Sequence, residues 1–355
     1  MARGLSLIGA SIALLAVAAC NDHTSGAKTE ASSEQRIAAA LDTCAEARNG
    51  FAQNLCENRA LSTLDNQIRS TLVAEAANVS DAGAQMLVQN QRRWRDAQRV
   101  LCGIADPAAE PDAEQQRCLE ERFSARAHDV ATTVQELGAY TFQRMELVEA
   151  LPVTDAQVAA SGLGDEAPPA VVREISFPRI DGQQTPQIQR FNELVAQQPQ
   201  YQLGDGVNEI VEYQIAYAGP DIISVRFNVS EDQLGSAHPN NSFRAVTVMM
   251  DEGRPLTETD VFKPDSRWQD FITRRAVADI TQQFREEGFT PPERDVRETA
   301  IKPHLWLITE RGLVILFPPY SFGPYALGGA EVTIPWRDLA PYLNPAAVAP
   351  IRPSA

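Results

Sequence analysis

Residues 305–317 read LWLITERGLVILF. Two short apolar runs, 305–309 and 313–317, flank Glu310-Arg311-Gly312, where the chain can reverse, so the stretch predicts a β-hairpin. Downstream, 331–335 supplies a further strand, and 336–343 a short helix that Asn344-Pro345 stops. Upstream, 267–287 carries Trp268, Phe271, Ile272, Val277, Ile280 and Phe284 at helical spacing. Further back, strands are predicted at 243–251, at 222–229 and 209–218 (a hairpin across Gly219-Pro220-Asp221), and at 171–180. A helix over 185–197 places Ile188, Phe191, Leu194 and Val195 on one face. Consecutive hairpins with a few helices predict an α+β unit with an antiparallel sheet over 172–345. The tail 346–355, broken by Pro350 and Pro353, is expected to fray.

Before this unit the period changes. Residues 146–171 contain Pro152, Gly162, Gly164, Pro168 and Pro169 without sustained periodicity and read as a linker. Residues 33–145 read as an all-α bundle of about four antiparallel helices. Leu61, Leu64, Ile68 and Leu72 form one stripe; Leu87, Trp94, Gln98 and Leu101 form a looser seam; the last helix is expected over 112–142. Trp94 is expected in the bundle core. Asp65 and Arg99 could pair between helices or stand as solvated charges.

Cys44, Cys56, Cys102 and Cys118 all lie in this helical unit, and an even set in an exported chain reads as disulfides. A metal site would need a C-x-x-C or a nearby His pair, which the spacing lacks. Four cysteines allow three pairings. Cys44–Cys56 with Cys102–Cys118 is the expected one, because each closes a short loop at a helix junction; each would add about 3 kcal/mol.

The amino terminus carries an address. Residues 5–19 are apolar or small and uncharged, about 15 in a row, too short for a span of about 20 but the size of a signal-peptide core. They end Leu15-Ala16-Val17-Ala18-Ala19-Cys20, which resembles the lipobox of bacterial lipoproteins. That resemblance implies removal of residues 1–19 and a diacylglycerol on the sulfur of Cys20, an anchor that two or three chains make stable. Asn21, in place of Asp, implies sorting to the outer membrane, facing the periplasm. Residues 20–32 read as a flexible tether.

The chain has 355 residues with 31 basic and 47 acidic side chains, a net charge of −16. Nucleic acid needs clustered Lys and Arg and is not an expected partner. A basic protein partner is compatible, since opposite fields accelerate encounter; excess acid can equally serve solubility alone. No G-x-S-x-G elbow is present. His23, His128, His238 and His304 are too scattered for a zinc set. No catalytic residue, metal or cofactor is therefore expected, although so acidic a sequence also supplies carboxylates for a pair of the glycosidase kind.

Two stretches resemble known families. Cys44, Leu55-Cys56, Ala60-Leu61, Leu64-Asp65, Gln91-Arg92-x-Trp94, Ala97, Arg99, Cys102 and Cys118 resemble the LprI-type lysozyme-inhibitor domain over roughly 40–130; Gln98 departs from the pattern. Phe177-Pro178, Tyr213-x-Ile215, Ser224-Val225-x-Phe227, residues 235–239, Leu256, Asp260-Val261-Phe262, residues 312–320, Pro324-Tyr325, Gly328 and Val332-x-Ile334-Pro335 resemble the RsiV-type extracytoplasmic domain over about 172–345. That family implies a lysozyme-binding fold. The membrane span and sigma-factor-binding segment that precede the domain in RsiV proteins are replaced here by the lipid anchor and helical unit.

Two loops are the candidate contact sites. Gly235-Ser236-Ala237-His238-Pro239 is small and turn-prone and can bring backbone N–H groups to a partner; it can equally be a plain crossing between strands. Pro319, Tyr320 and Tyr325 combine rigid Pro with large Tyr surfaces, as interface anchors do; those tyrosines can equally close the core. The expected function is a lipid-anchored envelope protein that binds and inhibits lysozyme-like muramidases stoichiometrically. The alternative is a non-catalytic envelope lipoprotein that binds peptidoglycan or a cell-wall-modifying partner.

Overall fold

The computed structural model describes residues 32–45, 47–48, 50–197 and 205–352. The expected signal 1–19, Cys20 and the tether up to residue 31 lie outside the described residues, as do the last three residues. Among the described residues no helix is long and apolar enough to cross a membrane.

The amino-terminal region is helical: α1 Ser33–Leu41, α2 Gly50–Glu57, α3 Arg59–Ala76, α4 Asp81–Leu101 and α5 Ala113–Asp129. Side-chain caps set most of the starts. Ser32 with Gln35 and Asp112 with Gln115 make capping boxes, and Asn58 and Ser80 accept first-turn N–H groups, satisfying donors the helix cannot. Leu61, Ile68 and Leu72 pack with Leu87, Trp94, Leu119 and Phe123. The Trp94 and Phe123 rings meet edge-on at 5.0 Å, and the Arg126 guanidinium lies 5.2 Å from the Trp94 ring centre. Disulfides join Cys44 to Cys56 and Cys102 to Cys118, with Cα–Cα separations of 5.6 and 5.7 Å.

Asp65 and Arg99 do not pair, and Asp65 is not a solvated charge either. Asp65 is buried and accepts from the Thr43 hydroxyl at 3.1 Å, and Arg95 also donates to that hydroxyl. Arg99 instead donates to the Ile104 and Ala105 carbonyls just past the end of α4.

The last helix is shorter than its expected 112–142. It ends at Asp129, and after a 3-10 turn the chain enters β1 Val134–Leu137 and β2 Tyr140–Pro152. β2 pairs antiparallel with β3 Ala170–Ile180 along its length, from Phe142↔Ile180 to Pro152↔Ala170. The expected linker 146–171 is therefore half of β2, the short helix α6 Asp155–Ser161 and the start of β3. Charge on the inward face explains the difference: half-buried Arg144 and buried Glu146 occupy positions where a half-buried strand ordinarily shows apolar residues.

Beyond β3 come α7 Pro186–Ala196, β4 Val207–Ala218, β5 Ile222–Gln233, β6 Asn240–Met249 and β7 Arg254–Pro255. Strands β1 to β7 form one sheet in sequence order. The sheet is mixed rather than wholly antiparallel: β3 and β4 run parallel, which requires a crossover, and α7 supplies it. After α8 Glu258–Val261, α9 Trp268–Gln283 and α10 Glu293–Ala300, a second antiparallel sheet forms from β8 Trp306–Ile308, β9 Gly312–Phe317 and β10 Ala330–Pro335. The short helix α11 Trp336–Leu339 follows.

One face of the large sheet is covered by α7, whose Phe191 and Val195 pack on Ile175, Val211, Val225 and Phe227. The opposite face is covered at both ends. At one end the helical region takes Val148 of β2 into its own core. At the other, β8 lies over β5 and β6: Thr247 donates to the Trp306 carbonyl at 3.3 Å, and the Ile308 N–H donates to Ser224 Oγ at 3.1 Å. Helices α9 and α10 close the outside of the small sheet through Ile272, Ile280, Val296 and Ala300. The described part of the tail, up to residue 352, packs rather than frays, because Ile351 is fully buried against this core with Ala347 and Val348 beside it.

Candidate functional site

The two candidate contact loops, some 80 residues apart in sequence, meet. Residues 235–239 follow β5, and residues 318–329 join β9 to β10. The His238 and Tyr325 rings stack at 4.0 Å with 13° between planes. Tyr320 lies 5.3 Å from Tyr325 and is 63% exposed. The Tyr325 hydroxyl donates to the Pro239 carbonyl and accepts from Asn241 Nδ2 at 3.3 Å. The result is an aromatic ledge made by residues from both loops.

The individual roles differ. Gly235 has φ +79°, and an added Cβ would lie 2.4 Å from the Ser161 carbonyl oxygen, so Gly there is a demand of the backbone. The Ser236 hydroxyl donates to Asp232 Oδ1 at 3.0 Å and lies 3.2 Å from the His238 carbonyl oxygen; it ties the turn together. His238 Nδ1 is 3.0 Å from the Pro239 carbonyl oxygen. Tyr325 is held at the loop base by its hydroxyl. Tyr320 adopts φ +68°, a left-handed conformation uncommon for a side chain of its size, and its ring faces water. Pro319 lines a groove that begins beside this ledge.

That groove, about 640 Å³, lies over the uncovered middle of the large sheet. Its floor is set by register. Ile210, Ser230 and Asn241 form one cross-strand row, and Glu212, Asn228 and Phe243 form the next, so their side chains share a face. Its wall is Pro319 and residues 325–329.

An ionic relay, buried at its Arg126–Glu146 end and open to solvent at Glu212, runs under the helical region toward this floor. Arg126 pairs with Glu146, Arg144 bonds Glu146 at 3.0 Å, and Arg144 pairs with Glu212 at 2.9 and 3.0 Å. Ser176 donates to the Val211 carbonyl at 3.0 Å and lies 3.1 Å from Glu212 Oε2. Beside it, burial first and the neighbouring Glu212 and Glu146 charges second push the Glu174 carboxyl above the usual range. Sequence reading missed these residues. Arg144-x-Glu146 in a strand could have been recognised only by knowing that α5 brings a cation to it.

Among the described residues, no cluster of three or more His, Cys, Asp or Glu could hold a metal ion. His128 is exposed on α5.

Residues 259–337 match a DUF3298 domain, described as a protein of unknown function. The matched stretch takes in α9, α10 and the whole small sheet, and so includes Pro319, Tyr320 and Tyr325 but not residues 235–239. Two solved structures of the DUF3298 family are similar to this chain. One, from Bacteroides fragilis, is 16% identical and covers 59% of this chain and 96% of its own, with a TM-score of 0.42. The other, from Pseudomonas aeruginosa, is 13% identical and covers 58% and 95%, with a TM-score of 0.41. No curated protein matches this chain.

Proposed function

We propose that this protein is a non-catalytic binder and inhibitor of lysozyme-like muramidases, held at the cell envelope by lipid on Cys20, with its folded part in the periplasm. The observation that carries the reading is the ledge. Two loops of binding character, some 80 residues apart in sequence, converge, and Tyr320 stands exposed there in a strained backbone conformation. A rigid aromatic presented at little entropic cost is how interface hot spots are built, and strain that persists on a surface loop needs a reason.

Charge supports the same partner class. A chain of net charge −16 attracts basic proteins, and such steering weakens as salt screens it. The resemblance of the helical region to LprI-type domains and of the later region to RsiV-type domains adds two separate pointers to lysozyme.

The test is a binding titration of the protein without residues 1–20 against several lysozymes. Saturable binding that weakens about tenfold or more in Tyr320→Ala supports the ledge as the contact. Binding unchanged by Tyr320→Ala and by His238→Ala places the contact elsewhere.

A further inference from the structure

We propose that the groove over β4, β5 and β6 binds an uncharged oligosaccharide, with N-acetylated hexosamine rings as the units that fit it. The inference stands on the groove itself and holds whether or not a muramidase binds the ledge.

The first observation is charge. In a chain of net charge −16, the groove lining holds one ionisable carboxylate, Glu212, and Arg144 neutralises it with two hydrogen bonds of 2.9 and 3.0 Å. The site therefore offers an ionic ligand no unspent counter-charge and imposes no repulsion on a neutral one.

The second is the mixture of surfaces. A pyranose ring presents hydroxyls at its rim and C–H groups on its faces, and an N-acetyl group adds an amide and a methyl. The floor supplies matching parts. Asn228 engages its Oδ1 with Arg226 and, among the described residues, leaves its Nδ2 to donate elsewhere; Ser230 stands beside it in the neighbouring row. Ile210, 41% exposed, and Phe243 give apolar floor, and Tyr325 gives an aromatic wall. A few polar groups set among apolar and aromatic surface are the usual composition of a ligand site, and tyrosine serves both kinds of contact.

The third is topology. An extended peptide commonly docks by adding a strand to a free sheet edge. Strand β5, which carries Asn228 and Ser230 in the centre of the floor, is paired there with β4 on one side and β6 on the other, so the centre of the floor leaves no ladder for a peptide to extend. The groove is also open, as a polymer of sugars requires.

The experiment is calorimetric titration of the full-length protein in detergent with chitotetraose, the uncharged tetramer of N-acetylglucosamine. Parallel titrations use its de-N-acetylated, cationic counterpart and an uncharged extended peptide. Saturable binding of chitotetraose, much weaker binding of the cationic tetramer, and about tenfold weakening by Asn228→Ala are expected. Ile210→Asp should weaken binding at least as much, and because both side chains are exposed, each variant should keep the parent unfolding midpoint. Absence of saturable chitotetraose binding up to millimolar concentration overturns the proposal. So does equal affinity in both variants, and so does peptide binding that the tetramer cannot displace.

Discussion

Arg126 on α5 grips Glu146 on β2 with both ends of its guanidinium, Nη1 to Oε1 at 2.8 Å and Nη2 to Oε2 at 2.7 Å, and both side chains are more than nine-tenths buried. The pair ties the helical region to the sheet at the point where sequence reading places a domain end. A buried ion pair of this kind contributes little relative to a well-packed apolar pair, but removing one partner strands the other charge.

Replacing Glu146 by Ala should therefore cost about 3–5 kcal/mol in urea unfolding. The double replacement Arg126→Met with Glu146→Leu should lose far less. Equal losses in the single and double variants would mean that the charges matter for something other than their mutual burial.

Acid should weaken the fold through the same group. Burial alone would raise the Glu146 carboxyl, but the Arg126 and Arg144 charges and hydrogen bonds hold it below its ordinary value. Burial likewise opposes Asp181, and the Ser80 N–H and Arg179 overcome it. A carboxyl lowered in the folded state adds stability above its unfolded pKa, and that stability is lost as pH falls through the folded value. The unfolding midpoint should fall as pH drops from about 6 to about 3, and Glu146→Gln should flatten that fall.

Glu174 has the opposite sign. Its carboxyl is raised, so its cost appears as pH climbs through the ordinary glutamate range and persists above it. Glu174→Gln should raise the unfolding midpoint at neutral pH and leave it nearly unchanged in acid. A lower neutral midpoint would show that the charge is needed.

Gly312 opens β9 where an added Cβ would lie 2.2 Å from the Ile334 carbonyl oxygen of β10. Backbone there cannot yield without breaking the ladder, so Gly312→Ala should destabilise by about 2 kcal/mol or more by thermal unfolding. A neutral result would mean that the two strands can separate locally.

The Cys102–Cys118 bridge spans 16 residues. Its removal by Cys102→Ser with Cys118→Ser should cost about 2–5 kcal/mol in denaturant. Hydrogen exchange should rise first at the α4 and α5 ends that it joins.

Much of this architecture can be read from residue types. The Leu61, Leu64, Ile68 and Leu72 stripe, the short cysteine loops, the α7 face and the hairpin across Glu310-Arg311-Gly312 each declare themselves locally. Three features did not. The start of the sheet was hidden because Glu146 is a buried charge and Arg144 a half-buried one, which alternation cannot distinguish from solvated ones. The parallel β3–β4 pair was hidden because strand direction depends on where α7 returns the chain. The burial of Ile351 depends on a core assembled from residues far upstream. At the candidate site, the loop residues were visible as types, but the His238–Tyr325 stack and the groove floor exist only through register.

Muramidase inhibition is read by adding the protein, lacking residues 1–20, to a muramidase clearing a suspension of bacterial walls. Clearance should stop at about one inhibitor per enzyme, recover as salt is raised, and recover in Tyr320→Ala. Undiminished clearance at a large excess of the protein, with every lysozyme class tried, would show that it does not inhibit muramidases.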